Sequence, residues 1–168
     1  MREATERLER PRAWDRTRAL EAISDAVWRV TMLDAALVRY HPGVYDDALD
    51  RQSPADQVSI EETLAGLRLV RNLVSEPDDL ARFVDARMSE WGPFTGEITS
   101  RRWEPVPVRP SGSQSTSAQA WEQARYSAYQ TRLAGAAIGD TFERCTTFLL
   151  TTAARAMATT HTNTPSTH

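Results

Sequence analysis

Arg71 and Asn72 close an apolar helical stretch, L-A-G-L-R-L-V-R-N-L-V-S-E over 64–76, and come nearest in this chain to specific chemistry. A guanidinium stabilises developing negative charge, and a titratable group one turn further on could move a proton. Four residues separate Arg71 from Glu76, which Pro77 and Asp78 follow. Glu76 is a base only in principle, because a carboxylate is repelled by an anionic substrate unless its pKa rises. Histidine occurs at 41, 161 and 168. His41 precedes a helix break, and a role for it beside Arg71 depends on how the helices fold together. Arg155 and His161, with five residues between them, form a second Arg/His spacing at the start of a polar tail, which reads as coincidence. The competing account of Arg71 and Asn72 is structural: basic residues and Asn often satisfy the free carbonyls of a helix C-terminus.

The 64–76 stretch resembles the HEPN superfamily of all-α bundles, in which a helix carries Arg, a polar residue such as Asn, and then His. The resemblance covers about residues 55–76, with Arg71 and Asn72 matched and the motif histidine absent. It implies a metal-independent endoribonuclease acting as a dimer, with Arg stabilising the phosphorane charge and His orienting or deprotonating the 2′-OH. A toxin–antitoxin or defence protein derived from such a ribonuclease would follow. A second segment, W-E-Q-A-R-Y-S-A-Y-Q-T-R-L-A-G over 121–135, resembles uncharacterised actinobacterial proteins and implies no activity.

Other reactive groups are sparse. Cys145 stands alone inside an apolar stripe and reads as inert core. Asp46, Asp47 and Asp50 lack the alternating ligands and glycine of a calcium loop, and Asp78-Asp79 suits a helix cap. Neither a metal nor a cofactor is expected. All 20 basic residues are arginine, which excludes Schiff-base chemistry and a lysine-dependent phosphate loop. A GC-rich genome accounts for the arginine bias. Trp121, Arg125, Tyr126, Tyr129 and Arg132 could stack bases, but packing of the rings with arginines over them is the favoured reading.

The elements that must position these groups follow from periodicity. Leu20, Ile23, Val27, Val30, Leu33 or Asp34, and Leu37 predict a helix over 14–39, with Trp28 widening the stripe. His41-Pro42-Gly43 stops it. Residues 44–52 form at most a short acidic helical turn. Ser53-Pro54-Ala55-Asp56 reads as a cap, and a second helix from 54 or 59 to about 74 carries Ile60, Leu64, Leu67 and Val70 inward. Asp78-Asp79 caps a shorter helix to about Met88, with Leu80, Phe83 and Val84 inward. Residues 89–117 hold Pro93, Pro105, Pro107, Pro110, Trp91, Trp103 and S-G-S-Q-S-T-S. A hairpin or edge strand over 98–108 and a flexible connector over 111–117 are the expectations there. Helices over 118–133 and 138–158 complete the chain, broken at Gly135 and Gly139.

The result is an all-α, bundle-like fold of four to five helices. It divides into an N-terminal helical part (1–88), a Trp/Pro/Ser-rich connector (89–117), a C-terminal helical hairpin on the same core (118–158), and a disordered tail (159–168). Net charge is −3, with six acids against Arg51 over 43–65 and six Arg against four acids over 1–18. Nucleic acid is not indicated by that charge. No apolar run suits a membrane span, and the charged N-terminus lacks a signal peptide's apolar core, so a cytoplasmic home is expected. With 5 tryptophans, more than a minimal core needs, the leading expectation is a non-enzymatic interaction or regulatory module that binds a protein partner or itself. Its surface would include Trp91, Trp103, Trp121, Arg125 and Tyr129, with Trp91 and Trp103 lining either a binding surface or the seam between the 89–117 segment and the bundle. Alternatives are the HEPN-type RNA-binding or ribonuclease-derived protein, and a phage or virion structural subunit.

Overall fold

The computed structural model describes residues 2–84, 101–106 and 116–162, with side chains over 17–84, 101–106 and 117–159. Within them the fold is all-α: α1 (Arg2–Tyr40), α2 (Pro42–Asp50), α3 (Pro54–Leu73), a 3-10 helix η1 (Pro77–Arg82), α4 (Thr116–Arg132) and α5 (Ile138–Thr162). No helix among the described residues is long and apolar enough to cross a membrane.

α1 buries the face its spacing predicts, with Leu20, Ile23, Val27, Val30 and Leu37 all inside. It extends further toward the N-terminus than the expected start at 14. Asp34, not Leu33, takes the deepest place in the stripe and is fully buried. The break at His41-Pro42 is sharp, and α2 begins with proline in its first turn, where no N–H is needed. The start of α3 is at 54 rather than 59. Ser53 Oγ accepts from Asp56 N at 3.2 Å and donates to its carboxylate at 2.7 Å. Ile60, Leu64, Leu67 and Val70 are buried as expected.

Beyond α3 the expected short helix begins as a six-residue 3-10 helix. Glu76 and Asp79 cap it reciprocally, and Leu80, Phe83 and Val84 point into the core. Met88 and Trp91 lie outside the described residues. The expected hairpin over 98–108 is replaced, in its described part 101–106, by an extended strap with isolated bridges. Val84 pairs with Trp103, Arg102 with Ala137, and Trp103 with Ala134. The strap's backbone bonds are divided between Phe83 O, which accepts from Glu104 N, and the α4–α5 turn. With Pro105 and Pro107 interrupting the run of donors, no continuous ladder can form. Gly135 enables that turn with φ +78°, a conformation glycine adopts without a Cβ penalty.

α4 lies along α3 in the most extensive helix pair of the fold. Gly66 lets the two approach: a Cβ there would sit 2.7 Å from Leu133 Cδ1 and 3.2 Å from Tyr129 Cα. Arg132 also reaches across to Glu62. α5 returns past α1, α2 and α3 and buries Ile138, Cys145, Phe148, Leu149 and Ala156. It runs to Thr162, so the segment expected to be a disordered tail from 159 begins as helix.

Candidate functional site

Arg68 and Arg71 leave α3 one turn apart and meet α1 in different ways. Arg68 donates through Nε to Asp34 at 2.8 Å and pairs through Nη2 with the same oxygen. The other Asp34 oxygen accepts from the Tyr45 hydroxyl at 2.9 Å. This carboxylate is fully buried and has two partners, which is how a buried charge is tolerated. Burial, and then the Asp34 charge, hold the Tyr45 phenol above its ordinary range, so it stays a donor.

Arg71 is not aimed into a groove. Its guanidinium carbon lies 4.2 Å from the centroid of the Trp28 ring. The pairings Asp34–Arg68 and Trp28–Arg71 show that α1 and α3 run antiparallel, so His41 lies away from Arg71. His41 still bonds helically to Leu37 O, and it lies 13 positions beyond Trp28. At 1.5 Å per residue the axial separation is about 20 Å. The structure therefore does not bring His41 to Arg71. Asn72 is exposed on the last turn of α3, and the Glu76 carboxylate is turned into the cap of η1. A reacting phosphate would find a charge stabiliser engaged with an indole and without His41 beside it.

The expected interaction surface is divided by the fold. Trp103 is 1% exposed, and its indole N–H donates to Thr141 Oγ1 at 3.1 Å, with Phe142 packed edge-on to the ring. Tyr129 is buried against Phe83 and donates to Glu104 O at 2.6 Å. Both belong to the seam between strap and bundle and offer no surface to a partner. Tyr126 and Gln130 extend that seam, each donating to Val106 O. Trp121 alone of the described set is broadly exposed, at 68%, and Arg125 is half-buried.

Two surface features escaped the reading by motif. One is on α1, where Trp28 and Met32, one turn apart, are each about half exposed beside Arg71. The other is a cleft of about 580 Å³ among α2, the first two turns of α3, and α5. Its floor includes Ala48, Ile60 and Phe148. Its α5 wall is a single helical face, recurring at intervals of three and one from Asp140 to Arg155. Among the described residues no group of three or more His, Cys, Asp or Glu is gathered as a metal site.

No family model matches the chain, and neither does any curated protein or solved structure.

Proposed function

We propose that this chain is a non-enzymatic helical interaction module that associates with a second copy of itself through the α1 face bearing Trp28 and Met32. The observation carrying this reading is a large indole left half exposed on α1, with Arg71 stacked on it and the half-exposed Met32 one turn away. Trp and Arg are the residue types that dominate interface energetics, and Met adapts to a facing surface. Ala35 extends the face by a further turn, and its small side chain leaves room for a helix to approach closely. The buried Cys145, with its thiol held protonated, suits a reducing compartment, and we place the module in the cytoplasm.

The ribonuclease alternative has less support, because Arg71 and His41 stand apart and Arg71 lies on an indole. Sedimentation equilibrium tests the favoured reading. The wild-type chain is expected to rise from its 18.9 kDa monomer mass to twice that value with concentration. Met32→Glu should hold it at the monomer mass with unchanged helix content. A wild-type chain that stays monomeric up to millimolar concentration, or a Met32→Glu variant that still dimerises, would sink it.

A further inference from the structure

We infer that the cleft between α5 and the α2–α3 corner binds an extended peptide segment carrying a basic group near one end and a carboxylate near the other. Asp140 and Glu143 stand at the N-terminal end of the α5 wall and Arg155 at its far end, all three exposed. The ion pairs among the described residues are Arg29–Asp25, Arg68–Asp34, Arg82–Asp79 and Arg132–Glu62, so these three are not neutralised by one another. Arg144 is held differently, donating to Ser59 Oγ at 2.8 Å and fixing α5 against α3 at that level. The α5 wall is therefore net negative at its N-terminal end, where Arg144 offsets one of two carboxylates, and positive at its far end, with Asp56 of α3 also lining the cleft.

Shape decides the class of ligand. From Asp140 to Arg155 is 15 residues of helix, about 22 Å. An extended chain covers that length with about seven residues at 3.3 Å each. A volume of about 580 Å³ drawn out along such a wall suits one chain in its width. A compact zwitterion would satisfy one end and leave the other in water. The middle of the cleft fits the middle of a peptide. Phe148 and Ile60 offer an apolar floor. Thr147 brings a hydroxyl toward it, while Thr151 and Thr152 turn theirs back to the carbonyls of Thr147 and Phe148. Helix walls have no free backbone ladder to offer, so side-chain charges must set orientation and register.

The cleft lies on α2, α3 and α5, away from the Trp28–Met32 face of α1, so this inference stands or falls independently of self-association. The test uses the full chain and a fluorescent seven-residue peptide with an acetylated N-terminus, Arg at position two, Ser and Ala between, and a free C-terminal Glu. Fluorescence anisotropy should show saturable binding that weakens with salt, as charge contacts at a surface do. A peptide with Gln in place of Arg should bind at least ~10-fold more weakly, because the carboxylates at the N-terminal end of the wall then meet no cation. Arg155→Glu, an exposed change in a helix, should impose a similar loss on the first peptide while leaving the sedimentation behaviour unaltered. Equal binding of the two peptides, no loss in Arg155→Glu, no peptide binding at all, or saturable binding of free arginine in place of the peptide would each overturn the proposal.

Discussion

At the scale of single residues, the polar group that matters most to the fold is Asp34, whose importance was half legible. The helical spacing left Leu33 and Asp34 as rivals for one core position, and hydrophobicity favoured the leucine. The carboxylate occupies it because Arg68 and Tyr45 reach it from α3 and α2, elements whose approach no local pattern discloses. Asp34→Asn keeps an acceptor for Tyr45 but removes the charge opposite Arg68. Breaking a buried pair costs about 3–5 kcal/mol. Arg68 is one-third exposed and can recover some hydration, so we expect a loss of about 2–3 kcal/mol in urea unfolding at an unchanged m-value. A loss under about 1 kcal/mol would mean the network is dispensable. Cys145 makes a pH prediction. Burial, and then the Asp34 charge, push its thiol up to about 12, with Arg144 opposing in part. The unfolded thiol titrates near ~8.5, so between about 8.5 and 12 the unfolded chain binds fewer protons than the folded one. Stability from this group is fully present below about pH 8.5 and declines as pH rises toward 12. Iodoacetamide at pH 9 should leave the native thiol intact and alkylate it rapidly in urea. Native-state modification at the unfolded rate would contradict the placement.

At the scale of elements, helix faces were readable and their partners were not. The buried stripes of α1, α3 and α5 follow from spacing alone, because each needs only the period of its own helix. The strap over 101–106 needed knowledge of Phe83 and the Gly135 turn, which are distant in sequence. Trp103 looked like a surface anchor because it stands among prolines, yet Thr141 and Phe142 enclose it. The polar face of α5, with Asp140, Glu143, Arg144 and Arg155, gives no local sign of a cleft. Only the position of α2 beside it turns that face into a cleft wall. Two glycines bring out the same contrast. Around Gly43 a Cβ meets nothing within 4 Å, so Gly43→Ala should raise stability by about 0.5–1 kcal/mol through the unfolded chain's entropy. Gly66→Ala gains about 1 kcal/mol of helix propensity. Against that, its Cβ meets the Tyr129 backbone and a fully enclosed Leu133. Overpacking of this kind costs about 1–3 kcal/mol, so the net change should be a loss. Thermal melts of the two variants should move in opposite directions. A stabilising Gly66→Ala would show that α3 and α4 separate at little cost.

At the scale of the whole molecule, the division into 1–88, 89–117 and 118–158 describes composition and makes no claim of independent folding. One apolar cluster draws Leu20 and Val27 from α1, Leu64 and Leu67 from α3, and Tyr129 and Leu149 from α4 and α5. The strap ties the two halves again, through Trp103 to Ala136 and Gly135 on one side and Glu104 to Phe83 on the other. Removing α4 and α5 would expose the Gly66 face of α3 and leave Asp34 beside an open core. A fragment spanning 1–115 should therefore lack cooperative unfolding, while the full chain loses its structure in one step. Trp103 reports the seam by fluorescence, and far-UV circular dichroism reports the helices. Both should give the same urea midpoint and m-value, since opening the seam also uncovers the α3–α4 contact. If the fluorescence transition preceded the helical one, with α1 to α3 persisting, the N-terminal part would be a folding unit. The Trp28–Met32 face would then belong to that unit alone. If the midpoints coincide and rise together with protein concentration, association is linked to the fold of the complete bundle, as mass action requires of a self-associating native state.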